Sequence, residues 1–486
     1  MPYILSIDQS TSATKGMIFG MDGDLISRHD LPHRQIINPL GYVEHDPDEI
    51  YNNTLVVARN VLEKSGIDAN EIVAVGISNQ RETVVGWDAV TRKPIYNAIV
   101  WQCGRASEIC KELEDKKSQI FQMTGLNLSP YFSAPKMAWM IRNIPSAATL
   151  MQQGRLRFGT IDTWLIDRLT DGETYKTDYS NASRTGLMNI DTCRWDPYLL
   201  EIYGLNRSVL PEICFSDSVF GHTSFQGILP KKVPICGVLG DSHAALFAHG
   251  CVHPGMAKVT FGTGSSVMVN TGEQKATPHL GVVACVAWGQ KGNVVYALEG
   301  NINYTGAVMK WLVNDVQLVN STKEAAELSQ SIEDTGGVYL VPAFTGLGAP
   351  YWNNDARALI CGMNPDTGKA QIVRAAEECI GYQIRDVVEA MGLDFPVIMA
   401  DGGPTRNAFL MQFVAGMLDI PLEVSELEEL SGAGAAYMAA ISVGASSMER
   451  LHSRREKKMY LPQIDWRKRE TLYCGWKAAV QMLEKS

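Results

Sequence analysis

The chain has 486 residues, 45% of them hydrophobic and 20% charged, with a formal net charge of −10. That length exceeds what one hydrophobic core supports, so two or more domains are expected, and the composition excludes general disorder. The acidic balance excludes nucleic acid as the main partner; a bound phosphate ester would need local donors or a metal.

In chain order, "YILSIDQSTSATKGMIFGMDGDLISRH" predicts strand, tight turn, strand, tight turn, strand. A helix follows in "DPDEIYNNTLVVARNVLEKSG": Pro47 sits in its first turn, Tyr51, Leu55, Ala58 and Leu62 recur along one face, and Gly66 stops it. "EIVAVGIS" is a short apolar run of buried-strand type that ends in the polar cluster "NQRET". Midway, "GVLGDSHAALFAHG" ends an apolar run in glycine before Asp241 and a small-residue helix, where Asp241 reads first as an N-cap. "MAKVTFGTGSSVMVNTGEQ" is again strand, hydroxyl-rich turn, strand. "ALEGNINYTGAVMKWL" predicts a turn into a helix, a further helix covers 368–391, and "FPVIMADGGPTRNAFLMQFVAG" predicts strand, glycine turn, helix. Strands alternating with helices imply an α/β fold, and two halves that open alike imply a duplicated architecture with a cleft between them. A boundary at 245/246 is expected, with the hinge near 245–255.

Familiar nucleotide motifs fail on inspection. "GMNPDTGKA" has one residue too many for a P-loop, and Ala370 stands where a metal-binding hydroxyl belongs. "GAGAAY" at 432–437 lacks the third glycine of a dinucleotide fingerprint and reads as helix packing. The alternative device is three turns at strand ends, "DQSTSAT" (8–14), "FGTGSS" (261–266) and "DGGPTRN" (401–407), each rich in amides and hydroxyls. Polar or aromatic residues where apolar runs end are the acceptor-side candidates: Arg81 and Glu82, Trp101, and Tyr131. The carboxylates of "HDPDE" (45–49) and "DTW" (162–164) are spaced for capping rather than metal binding. Ten cysteines without a C-x-x-C pair fit reduced thiols, no apolar run reaches membrane-spanning length, and "MPYILSIDQS" carries no targeting pattern, so a cytoplasmic protein is expected.

These residues also carry a resemblance. Through "GYVEHDPDEIY", "ISNQRETVVGWD", "YFSAPKMAWMIRN", "TDYSNASRTGLMNI", "ALEG", "VPAFTGLGAPYWNNDARALICGM" and "DGGPTRNAFLMQF" the chain resembles the FGGY carbohydrate kinases from end to end. It is most similar to the members that phosphorylate glycerol. The resemblance implies two actin-like, ribonuclease-H-like domains (1–245 and 246–486) around a hinged cleft that closes on ATP, Mg2+ and a small polyol or sugar. It makes Asp241 the general base for the attacking primary hydroxyl, with Asp8 and Asp241 facing the metal. It places Thr11, Ser12, Thr14 and Lys15 in the first phosphate-facing hairpin and Gly262 and Thr263 in the second. Gly306, Lys310, Gly402, Gly403 and Asn407 fall around the nucleotide, and Arg81, Glu82, Trp101, Tyr131, Ser242 and Ser266 around the acceptor. A homo-oligomer, dimer or tetramer, is implied, with no nucleic acid or membrane partner.

The chain departs from the family's pattern at Ser242 and Ser266, where the glycerol-phosphorylating members commonly carry Gln and Phe, at Lys310, where they carry Gln, and at Glu377, where an apolar residue is expected. The serines open an alternative acceptor, a four- or five-carbon polyol or ketose of the erythritol, threitol, erythrulose or xylulose type. The loop "HTSFQGILPKKV" lacks the glycine-and-arginine run of members that bind a sugar bisphosphate, and has no counterpart of a loop histidine phosphorylated in some, so neither control is expected. A sensor that keeps the cleft without transferring phosphate would have no need of Asp241, and a repressor would need a DNA-binding module that the sequence does not offer.

Overall fold

In the computed structural model, which describes residues 2–276, 281–353, 355–427, 429–452 and 457–484, the N-terminal segment folds as the alternation requires. Strands β1 (Tyr3–Gln9), β2 (Ala13–Gly20) and β3 (Leu25–Pro32) pair antiparallel in succession. Helix α1 (Pro47–Ser65) starts on Asp46, whose carboxylate accepts from the amides of Asp48 and Glu49, and ends at Gly66 with φ 67°. The cap satisfies amides that the first turn leaves unpaired, and the left-handed exit suits a residue without Cβ. The carboxylate in "HDPDE" is thus a cap, as its spacing predicts. Asp162 is not: it is buried inside a short helix and accepts from the hydroxyls of Thr160 and of Thr177, the latter at 2.7 Å.

Strand β4 (Ile72–Asn79), helix α2 (Ser133–Asn143), strands β5 (Gly221–Thr223) and β6 (Val233–Gly240) and helix α3 (Asp241–Ala248) are the further elements of the first half that position the site. The sheet order is β5-β6-β4-β1-β2-β3, with β6, β4 and β1 parallel. These three strands are buried almost throughout, the pattern of a sheet covered on both faces.

The second half repeats the plan. Strands β7 (Ala257–Phe261), β8 (Ser265–Gly272), β9 (Val283–Gln290) and β10 (Asn293–Ile302) are followed by helices α4 (Gly306–Asn314) and α5 (Lys369–Met391). Then come β11 (Ile398–Asp401), helix α6 (Ala408–Leu418), β12 (Leu422–Ser425), helix α7 (Leu430–Ser442), β13 (Lys457–Tyr460) and helix α8 (Trp466–Glu484). The order is β9-β10-β8-β7-β11-β12-β13, with β7, β11 and β12 parallel. Both halves therefore join an antiparallel set to two further parallel strands, the duplicated two-domain α/β architecture the sequence implies. One difference is local: "ALEGNI" belongs to β10, and the turn begins only after Ile302.

Helix α7 departs from a simple division along the chain, because it lies against the first sheet. A Cβ on Gly76 or on Gly237 would stand 2.5 Å from the carbonyl oxygen of Ala435, and Gly434 meets the backbone of Ala244 in α3. The Ser6 hydroxyl donates to the Gly432 carbonyl at 2.7 Å. "GAGAAY" is thus a close helix-packing surface. "GMNPDTGKA" is a turn, its Asn364 amide held by the Thr367 hydroxyl at 2.9 Å, before α5 begins at Lys369. Among the described residues all ten cysteines are free, and no helix is long and apolar enough to cross a membrane.

Candidate active site

The parallel strands β1, β4 and β6 end side by side, with Asp8 opposite Ser78 and Gly240 opposite Asn79. Chains leaving the carboxyl ends of such strands diverge and open a crevice. Asp8, Arg81 and Asp241 reach one place for that reason, although they are far apart in sequence.

Asp241 stands one residue beyond the cap position. Gly240 is the N-cap of α3; the Asp241 carboxylate accepts from the Ser242 amide at 2.7 Å and lies 3.1 Å from Arg81 Nε. Its side chain keeps 34% exposure. Its recess in the cleft pushes its pKa up, against the opposing pull of Arg81 and the Ser242 amide. Desolvation prevails in this geometry, and phosphate charge in the cleft, being of like sign, would push the carboxyl the same way, contrary to a base held ionised by the phosphate.

Arg81 and Glu82 do not pair with each other. Arg81 sends two nitrogens to Glu299, each at 2.8 Å, while Glu82 accepts from Arg184 Nε at 2.6 Å. Arg184 Nη1 lies 2.9 Å from Glu299, and the Ser266 hydroxyl donates to Glu299 at 2.8 Å. Arg81, Glu82, Arg184 and Glu299 are all buried. Glu299 and Ser266 belong to the second sheet and the two arginines to the first half, so this ion cluster crosses the floor between them. Burial opposes charge on Glu299, but Arg184 and Arg81 outweigh it and hold the carboxyl well below its ordinary range. Ser266 therefore has its hydroxyl committed, whereas Ser242 is half-buried beside Asp241.

On the first hairpin, Thr11 Oγ1 accepts from Trp101 Nε1 at 2.9 Å, and Ser12 is exposed at the turn. Lys15 Nζ lies 3.4 Å from Asp8 and 2.6 Å from Glu429, and Glu429 also takes Arg28 at 2.6 Å. Burial disfavours the Lys15 charge, yet Asp8 and Glu429 outweigh it and raise its pKa. Asp8 itself accepts from the Ser78 hydroxyl at 2.6 Å. Thr14 does not line the open turn. It is wholly buried in β2 with its hydroxyl unpartnered, because successive strand residues point to opposite faces, which leaves Ala13 and Lys15 on the other side.

The second half presents a matching floor. The amides of Gly306 and Ala307 donate to the carbonyls of Gly262 and Thr263, each at 3.0 Å, stitching the turn after β7 to the start of α4. A Cβ on Gly306 would stand 2.5 Å from the Gly262 oxygen, and Gly402, with φ 98°, lies directly on the Phe261 backbone. Gly403 has open space around it, and Lys310 is exposed one turn along α4. Asp401, just before the glycine pair, is held by His249 Nε2 at 2.8 Å and by the Thr260 hydroxyl at 3.0 Å. Asn407 accepts from the Leu410 amide at 3.2 Å and donates to Glu377 at 3.0 Å. Burial pushes the Glu377 carboxyl up to about 7. The departure from the family's pattern is thus a buried acid that accepts from the Asn407 amide.

Across the cleft, the rings of Trp101 and Tyr131 meet at 5.4 Å with a 59° tilt. Glu299, Arg184 and Asp401 were absent from the residues singled out by sequence. Their only signal was membership of "ALEG", "ASRTG" and "ADGG", stretches in which nothing local marks a partner.

The chain is similar to known proteins over nearly its whole length. The model of the N-terminal domain of the FGGY family of carbohydrate kinases matches residues 3–248, and that of the C-terminal domain matches residues 257–443. Glycerol kinase 1 of Thermotoga maritima is 46% identical over 491 residues, covering 99% of both chains. The glycerol kinase of Caldanaerobacter subterraneus subsp. tengcongensis is 43% identical with the same coverage. The crystal structure of Plasmodium falciparum glycerol kinase with ADP superposes with a TM-score of 0.92 at 36% identity, covering 99% of this chain and 98% of that one. Ligand-bound xylulose kinase from Lactobacillus acidophilus, at 22% identity, shares the fold with a TM-score of 0.87 and covers 99% of each chain.

Proposed function

Since the chain belongs to the FGGY family of carbohydrate kinases, we propose that it moves the terminal phosphoryl group of ATP to a primary hydroxyl of glycerol. The observation that carries this reading is Asp241: a partly open carboxylate at the end of β6, steadied by one amide and by Arg81, on the same strand-end row as Asp8. In the reaction the hydroxyl oxygen bonds to phosphorus, the bond from phosphorus to the ADP oxygen breaks, and Asp241 takes the hydroxyl proton. Arg81, Glu82, Trp101 and Tyr131 orient the acceptor. The turns of Thr11, Ser12 and Lys15 and of Gly262 and Thr263 face the phosphates, while Gly306, Lys310, Gly402, Gly403 and Asn407 surround the rest of the nucleotide. Such positioning supplies most of what phosphoryl transfer needs from a protein.

Asp8 and Asp241 offer hard carboxylate oxygens that suit Mg2+. Among the described residues no cluster of three or more His, Cys, Asp or Glu could hold a metal unaided. That donor set fits a cation held by one or two carboxylates together with phosphate oxygens. When bound, Mg2+ neutralises phosphate charge.

A longer acceptor is a second reading, favoured by the small side chains of Ser242 and Ser266 around Asp241 and Glu299. One panel separates the two: ADP release with Mg-ATP across glycerol, tetritols, pentitols and their ketoses. Glycerol with the highest kcat/KM supports the first reading; a longer alcohol ahead by about tenfold or more would establish the second. No alcohol-dependent ADP release would sink both.

A further inference from the structure

Lys136 is wholly buried in the first turn of α2, and its ammonium donates to three consecutive carbonyls: Pro130 at 2.7 Å, Tyr131, and Phe132 at 3.1 Å. A cation there faces the positive end of the helix dipole and has lost its hydration to neutral partners. Both effects oppose the charge, so the residue is a costly way to fill space. What it secures is the turn that carries Tyr131, whose ring meets Trp101 at 5.4 Å and Phe132 at 5.3 Å. Two hydroxyls reinforce the same turn: Ser129 accepts from the Tyr131 amide at 3.2 Å, and Ser133 donates to the Glu82 carbonyl at 3.1 Å. Glu82 holds φ 59°, a left-handed backbone that a non-glycine residue keeps only where its surroundings fix it.

We propose that Lys136 is a positioning residue: by gripping the carbonyls of residues 130–132 its ammonium fixes Tyr131 against Trp101 and so sets affinity for the acceptor alcohol. The inference rests on the reading of Trp101 and Tyr131 as acceptor-side groups. An ammonium has three donors for three carbonyls, whereas the neutral amine has two and turns a lone pair toward the third. Burial pushes Lys136 down from 10.5 to about 7; Glu82 and the thiols of Cys103 and Cys110 favour its charge, and Arg105 opposes it. Acceptor affinity therefore weakens as pH rises through neutrality.

The contribution of Lys136 to the fold does not weaken over the same window. The folded pKa lies below the unfolded one, so between pH about 7 and 10.5 the unfolded chain binds more protons at this site. The contribution of Lys136 to stability then rises with pH. A rise in acceptor KM is therefore a property of the turn, separable from unfolding.

The test measures KM for glycerol and for ATP in parallel from about pH 6 to 9 on the full chain and on Lys136→Met. The parent should show a glycerol KM that climbs about tenfold, with the ATP KM level and the chain folded at every pH sampled, as thermal unfolding of the same preparations reads. Lys136→Met should start from a raised glycerol KM and show no pH dependence. A level parental profile, or a variant that tracks the parent, overturns the inference; if the variant does not fold, the parental profile alone decides. Should no alcohol be phosphorylated at any pH, the proposed function fails. The turn is then read from the fluorescence difference between parent and Trp101→Phe: a midpoint near neutral pH supports Lys136 as the grip, and a level signal refutes it.

Discussion

Glu299→Gln is the sharpest perturbation of the cleft, because one carboxylate there serves two arginines and a serine. The cluster holds two guanidiniums, Arg81 and Arg184, and three carboxylates, Glu82, Asp241 and Glu299. Glutamine removes one negative charge and replaces two acceptor oxygens by one oxygen and one donor. Arg184 keeps Glu82 at 2.6 Å, but among the described residues the only other carboxylate paired with Arg81 is Asp241, at 3.1 Å. Loss of one charged hydrogen bond costs about 1.5–3 kcal/mol of stability, and complete removal in Glu299→Ala about 3–5 kcal/mol. The functional effect follows from the Arg81 charge. Arg81, already 3.1 Å from Asp241, no longer divides its charge with Glu299, so the Asp241 pKa falls and the proposed base weakens. Turnover should drop about tenfold, with the acid limb of the pH–rate profile moving to lower pH. Coupled ADP-release assays across pH, with unfolding of the same preparations as control, read both quantities. A Glu299→Gln enzyme with parental turnover and an unmoved acid limb would refute the claim that Glu299 shares the Arg81 charge with Asp241.

Asp241→Asn should lower turnover by about a hundredfold or more while nucleotide binding, followed by ATP titration, stays intact; near-parental turnover would remove Asp241 from the role of base. In the parent, kcat/KM should fall toward acid pH as Asp241 takes up a proton, with a midpoint above the ordinary aspartate value of 3.8, since burial raises it. A midpoint at or below that value would contradict the recessed geometry. Gly402→Ala puts a Cβ onto the Phe261 backbone at φ 98°, so the turn must shift, at a cost of about 1–3 kcal/mol; the ATP KM should rise with the acceptor KM unchanged. Trp101→Phe removes the indole donor to Thr11, and the acceptor KM should rise about fivefold.

Much of the fold was legible because its signals are local. Asp46, Pro47 and Gly66 fix the ends of α1 within one segment, and the two hairpins announce themselves by apolar runs around hydroxyl-rich turns. The ion cluster was not legible for the opposite reason. Glu299 sits mid-strand among apolar neighbours, and its partner Arg81 lies 218 residues away, a pairing that only the stacking of the two halves creates. Thr14, expected in the phosphate-facing hairpin, has its hydroxyl turned inward by strand alternation, a signal that is itself local.

Asp241 shows how narrow the margin between the two kinds of signal can be. At the N-cap its oxygens would accept from two amides of the first turn, as those of Asp46 do in α1, and that bonding would stabilise the anion and depress its basicity. Gly240 takes the cap position instead, without a side chain to bond the first turn. One residue further on, Asp241 accepts from a single amide and keeps part of its carboxylate open, recessed enough for its pKa to rise. The glycine that looks like a mere strand stop is therefore what separates a structural carboxylate from one able to accept a proton.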